Sequence, residues 1–96
     1  MNYNELKNIL EKYPFLTEKK YIYIDLRRFG RSYEKFGDYI LGRDVLGRFC
    51  VQHNIDFEYG RIDGRKEFKD IDLAAGYLWE LFGRERKLKE LIEKYK

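Results

Sequence analysis

The chain has very few of the residues that build metal centres and disulfide frameworks. It contains one cysteine, Cys50, and one histidine, His53, among its 96 residues. A single cysteine excludes an internal disulfide, and this composition excludes zinc sites made of several Cys and His side chains. It also excludes catalytic clusters that need two histidines. A reducing cytoplasm is the simplest location for such a chain.

Long apolar stretches are also missing. The sequence has no run of about 18 apolar residues, and its polar start, MNYNELKN, lacks the basic and apolar regions of a signal peptide. We therefore expect neither membrane insertion nor secretion. Charged residues make up 39% of the chain and nearly balance, at a net charge of +3. With 44% hydrophobic residues, the chain has enough apolar mass to fold as one domain over residues 1–96.

The longest periodic stretch is the last quarter of the chain. Apolar residues from Ile71 to Tyr95 recur three and four positions apart, which predicts an amphipathic α-helix over residues 70–96. Such a helix would be about 36 Å long, more than a sheet of six-residue strands can cover. Its far half, with Leu88 and Ile92, would therefore pack on the first helix or pair with a second copy in a homodimer.

The first part of the chain predicts a helix followed by a strand. Apolar residues recur at helical spacing up to position 13, Asn2 and Glu5 are placed like a capping box, and Pro14 ends the helix. Apolar and polar residues then alternate over residues 20–28, and positions 21 to 24 are all β-branched or aromatic. This pattern indicates a strand with one face in the core.

The middle of the chain predicts a second helix and a hairpin. Helical spacing resumes from Ser32 to His53, with Gly42 or Gly47 as a point where that helix would break. Alternation returns over residues 55–62, and Asp63-Gly64 is the dipeptide that favours a two-residue turn into a return strand at 65–69. The sequence therefore predicts an α+β domain in the order helix, strand, helix, strand, strand, helix. Its small sheet is covered by helices, and it ends in a long amphipathic helix.

Basic and aromatic residues are interleaved around the first predicted strand. Eight basic and five acidic side chains fall within residues 18–48, a net charge of +3. An aromatic and basic sheet face is typical of proteins that bind single-stranded nucleic acid. The predicted binding residues are Tyr21, Tyr23, Arg27, Arg28, Arg31 and Lys35. The alternative is that the first helix covers the tyrosines and the arginines form an ordinary solvated rim.

The second functional hypothesis is docking on a partner protein, as an inhibitor or adaptor. Protein interfaces are enriched in Tyr, Trp and Arg, and the last predicted helix is rich in aromatic residues. The predicted interface residues are Tyr77, Trp79, Phe82, Leu88 and Ile92.

Two short patterns would suit an enzyme. Asp56, Glu67 and Lys69 have the order of a magnesium-dependent nuclease site. The Glu-x-Lys pattern also recurs elsewhere in the chain, as chance predicts for this composition. Cys50 and His53 lie three positions apart and on a helix would share a face. Because neither pattern is specific, we favour a non-enzymatic binding module without metal or cofactor.

Overall fold

The computed structural model describes residues 1–28, 37–58 and 60–95. The elements in chain order are α1 (Tyr3–Lys12), α2 (Phe15–Glu18), β1 (Ile22–Arg28), β2 (Tyr39–Arg43), β3 (Phe49–Phe57), β4 (Gly60–Phe68), α3 (Ile71–Arg86) and α4 (Leu88–Lys94). The strands form one sheet in the order β1-β2-β3-β4. β1 and β2 are parallel, whereas the other two pairs are antiparallel. The predicted α+β class, with a small sheet and a C-terminal helix, is confirmed.

The first helix begins as predicted. The Glu5 N–H donates to the Asn2 side chain at 2.9 Å, and the Asn2 N–H donates to the Glu5 carboxylate at 3.3 Å. This reciprocal capping box satisfies two amide groups that have no partner inside the helix. The helix ends at Lys12, and Pro14, which has no N–H, precedes the short helix α2.

The predicted second helix over residues 32–53 is wrong wherever the structure describes it. Residues 39–43 and 49–53 belong to β2 and β3, and Ser32, its predicted start, lies outside the described residues. The error has a physical cause. Tyr39, Ile40 and Leu41 are all buried, so β2 is covered on both faces. A strand buried on both faces reads as a continuous apolar run, which periodicity alone does not distinguish from a helix.

Asp63-Gly64 does not form the predicted turn. Phe57 pairs with Gly60, so the hairpin between β3 and β4 closes before that dipeptide. Gly64 lies inside β4 opposite His53, and a Cβ atom there would lie 2.2 Å from His53 Nε2. The glycine is therefore needed to make room for an imidazole ring.

The predicted helix over residues 70–96 divides in two. It runs without a break through Gly83 and ends at Arg86, because Lys87 adopts a left-handed conformation with φ 49°. α4 then begins at Leu88. Leu88 and Leu91 pack against the core, so part of the far half is covered within the chain.

The core lies between the helices and one face of the sheet, which we call the helix face. Alternate residues of each strand point to it, and α3 adds Ala74, Ala75, Leu78, Leu81 and Phe82. The opposite side, which we call the second face, carries Tyr23, Asp25 and Arg27 of β1. It also carries Ile40 of β2, Cys50 of β3 and Arg65 of β4, as the registers require.

Two glycines give a matched prediction about stability. Gly83→Ala should raise the free energy of unfolding by about 0.5 to 1 kcal/mol, because alanine favours helix and nothing lies within 4 Å of its new Cβ. Gly64→Ala should lower it by about 1 to 3 kcal/mol, since the His53 ring must move. Urea denaturation with a constant m-value measures both changes. A Gly64→Ala variant as stable as the parent would contradict the packing of His53 on β4.

Candidate nucleic-acid interface

The two predicted binding tyrosines lie on opposite sides of the sheet. Lys20 adopts a left-handed conformation with φ 60° just before Tyr21, which turns the chain ahead of β1. Tyr21 therefore packs on the helix side, where its ring contacts that of Tyr95 at 6.2 Å and the two hydroxyl oxygens are 3.2 Å apart. Tyr23 lies in β1 on the second face, where its hydroxyl donates to Asp25. The predicted pair of stacking rings on one sheet face is not formed.

Arg27 lies on the second face and is 86% exposed, but its charge is compensated. Its Nε donates to Asp25 Oδ1 at 2.9 Å, and its Nη2 donates to Oδ2 at 2.6 Å. These hydrogen bonds lower the pKa of Asp25 to about 2. On the same face Arg61 pairs with Asp63 at 2.8 Å and Arg65 pairs with Glu67 at 3.5 Å. The described arginines of this face therefore do not concentrate positive charge.

The other predicted phosphate-binding residues are placed only in part. Arg28 ends β1 with its backbone in register with Arg43. Arg31 and Lys35 lie outside the described residues. Of the predicted binding residues, Tyr23 and Arg27 are therefore the ones that the structure places on the second face.

Another surface combines aromatic rings with lysines that form no ion pair with a described carboxylate, and we call it the basic aromatic cluster. It forms where the end of α1, the helix α2 and the end of α4 meet. Its members are Lys12, Tyr13, Phe15, Lys19, Tyr21, Lys94 and Tyr95. Phe15 and Tyr95 stack at 4.8 Å between centroids with an interplanar angle of 22°. The Lys19 and Lys94 ammonium groups lie 6.0 and 5.4 Å from the Tyr95 centroid.

At the end of α1, the cluster again places a lysine ammonium group beside an aromatic ring. The Lys12 ammonium lies 5.4 Å from the Tyr13 centroid, and the Tyr13 ring meets Phe15 edge to face at 6.3 Å. Each such cation–ring contact contributes about 0.5 to 1 kcal/mol at an exposed site. Sequence reasoning missed the cluster because it joins residues 12–21 to residues 94 and 95. Its only local signal is the repeated Lys-Tyr dipeptide.

The pKa of Tyr95 depends first on its hydrogen bond with Tyr21 and then on its surroundings. The hydrogen bond with Tyr21 has the largest effect and lowers the pKa of the Tyr95 hydroxyl. Burial opposes it, and the charges of Lys94 and Lys19 lower this pKa further by smaller effects. The same hydrogen bond raises the pKa of Tyr21. Of these effects, only the charges of Lys94 and Lys19 would also attract an anion brought by a ligand.

The residues predicted for a protein interface divide between surface and core. Phe82 is fully buried, so its side chain is not part of any surface. Trp79 is half-buried and stacks on Phe82 at 5.7 Å, and Tyr77 contacts Phe68 at 5.3 Å. Leu88 packs on the core, whereas Ile92 is half-buried.

The two catalytic patterns are not assembled. Glu67 pairs with Cys50, six residues from Asp56 along β3, so these carboxylates are separated by about 20 Å. Cys50 and His53 are an odd number of residues apart in a strand and point to opposite faces. Burial raises the pKa of the Cys50 thiol, which disfavours the thiolate. Among the described residues, no group of three or more His, Cys, Asp or Glu could hold a metal ion.

A polar cluster that the sequence did not reveal connects α3 to the sheet. Glu85 Oε1 lies 2.9 Å from His53 Nδ1 and accepts the Tyr39 hydroxyl at 3.2 Å. Burial, and then the charge of Glu85, raise the pKa of Tyr39, so its hydroxyl stays a donor. The His53 and Glu85 side chains are only 12% and 16% exposed. This placement makes the cluster an anchor for α3.

No protein family, curated protein or solved structure is significantly similar to this chain. No helix in the described part of the chain is long and apolar enough to cross a membrane.

The Asp25–Arg27 pair predicts that the stability of the fold depends on pH in the acidic range. Because folding lowers the pKa of Asp25, its stabilising contribution is complete above about pH 4 and is lost as the pH falls through about 2. Asp25→Asn should reduce stability at pH 7 by less than about 1 kcal/mol, since Arg27 is well exposed to solvent. Urea denaturation should show that the difference in free energy of unfolding between variant and parent is smaller at pH 3 than at pH 7. A gap that widens toward pH 3 would contradict the lowered pKa.

Proposed function

We propose that the chain is a small non-enzymatic module that binds single-stranded nucleic acid through the basic aromatic cluster. The observation that carries the proposal is the set of three lysine ammonium groups that lie over Tyr13 and Tyr95, next to the stacked ring of Phe15. Proteins that bind single strands without sequence preference combine cations for the phosphates with rings on which bases stack. The free, buried cysteine accords with a cytoplasmic location.

Uncompensated charge favours this cluster over the second face of the sheet. Within the described residues, Lys12, Lys19 and Lys94 form no ion pair with a carboxylate, whereas Arg27 is bound bidentately by Asp25. A phosphate that approached Arg27 would have to displace that carboxylate. A phosphate at the lysines displaces only water and weak ring contacts.

The stacking partner offered to a base is Tyr95. Phe15 supports its ring by parallel stacking, and Tyr21 fixes its hydroxyl. A base that stacks on Tyr95 would move a lysine ammonium off the ring and leave it available to a neighbouring phosphate. Lys19 directly follows α2 and Lys94 ends α4, and both flank this ring, so they would contact successive phosphates of one strand.

The proposal predicts separate effects for rings and cations. A fluorescent oligo-dT strand should bind the parent at about 50 mM salt, and Tyr95→Ala should lower the affinity by about tenfold, because stacking contributes about 1 to 3 kcal/mol per base. Lys19→Ala and Lys94→Ala should each reduce the slope of log affinity against log salt by about 0.7. Fluorescence anisotropy at several salt concentrations measures both effects.

Two variants control this experiment. Tyr95→Phe keeps the ring and loses only the contact with the Tyr21 hydroxyl, so it should bind within about threefold of the parent. Arg27→Ala removes a cation from the second face and should leave the salt slope unchanged. A slope that falls in Arg27→Ala but not in the lysine variants would locate binding on the sheet face instead. Absence of binding by the folded parent would refute nucleic-acid binding altogether.

A further inference from the structure

A groove lined by apolar and acidic side chains lies along α3, next to Met1. Its volume is about 600 Å³, and it is lined by Met1, Leu73, Tyr77 and their neighbours. Leu73 is 63% exposed and Met1 is 46% exposed, and both are among the most exposed large apolar side chains described. Leu73, Tyr77 and Glu80 follow one another at spacings of four and three, so they form one stripe along the helix.

The groove is acidic at its rim. Asp72 and Glu80 line it, and residues 70–83 contain three acidic side chains and no basic one. Asp72 Oδ1 accepts the Tyr3 N–H at 2.9 Å, whereas Glu80 is exposed and forms no ion pair with a described residue. The charge of Glu80 is therefore available to a ligand.

A cation of the chain itself already contacts one aromatic ring that lines the groove. The Lys66 ammonium sits 4.9 Å from the centroid of Tyr77 and 5.6 Å from that of Phe68. Aromatic faces beside carboxylates attract the cationic heads and the alkyl stems of lysine and arginine side chains. The groove thus combines apolar side chains with contacts suited to basic residues.

We infer that this groove docks an amphipathic helix of a partner protein, whose apolar side chains are flanked by lysine or arginine. The apolar residues of the partner would cover Leu73 and Tyr77, and its cations would reach Glu80 and Asp72. The stripe along α3 has the spacing that packs against a second helix. This activity is independent of the basic aromatic cluster, since none of the residues is shared.

The probe is a synthetic helical peptide of leucine and lysine, with leucine on one face, compared with its leucine and glutamate counterpart. The parent should bind the lysine peptide and not the glutamate peptide. Leu73→Ser and Glu80→Arg should each weaken binding by at least about tenfold, because they remove the apolar anchor and reverse the rim charge. Isothermal titration calorimetry measures the affinities, and oligo-dT binding should be unchanged in both variants.

Two matched variants separate docking from general attraction. Leu46 is 71% exposed in the turn between β2 and β3, so Leu46→Ser removes an exposed leucine away from the groove. Glu90→Arg makes the same change in net charge on α4. Both controls should bind the lysine peptide like the parent. Equal losses in all four variants, or no binding by the parent, would overturn the proposal. Self-association of the parent that Leu73→Ser abolishes would do so too, because the occupant would then be a second copy.

Discussion

The carboxylate of Glu85 is the contact on which the rest of the arrangement depends. It lies in the last turn of α3, where the helix dipole disfavours an acid, and it is stabilised by the Tyr39 hydroxyl and the His53 imidazole. That imidazole fits only because Gly64 leaves space on β4. One carboxylate thus ties the end of α3 to β2 and β3. In the sequence, Glu85 is the polar residue that interrupts an apolar stripe.

This anchor also determines where the final helix goes. Directly after Glu85, Arg86 pairs with Asp38 and lies over the Tyr21 ring, and Lys87 then turns the chain into α4. The new direction brings Tyr95 against Phe15 and Tyr21. The basic aromatic cluster therefore forms as a consequence of how α3 and α4 pack on the helix face of the sheet. A ring held on several sides is a rigid platform, and a base that stacks on it orders few additional groups.

Local signals predicted the elements that one stretch of sequence can specify. The capping box of α1, the alternation of β1 and the stripe of α3 each report a structure formed within a few turns or one strand. β2 escaped prediction because burial on both faces removes the alternation that marks a strand. The turn predicted at Asp63-Gly64 was wrong. Gly64 lies inside β4, where its missing side chain leaves space for the His53 ring, and this packing outweighs the turn propensity of the dipeptide. The basic aromatic cluster could not be predicted, since only the tertiary fold joins residues 12–21 to Tyr95.

The most direct test of the proposed binding site is to map the binding of a single strand on the folded chain. Backbone amide shifts of ¹⁵N-labelled protein should be followed by NMR during titration with unlabelled oligo-dT. Binding at the basic aromatic cluster predicts that the largest changes fall on residues 12–21 and on Lys94 and Tyr95, with little change along α3 between Leu73 and Glu80. Changes confined to β1 and β4, or no changes at saturating oligo-dT, would contradict it.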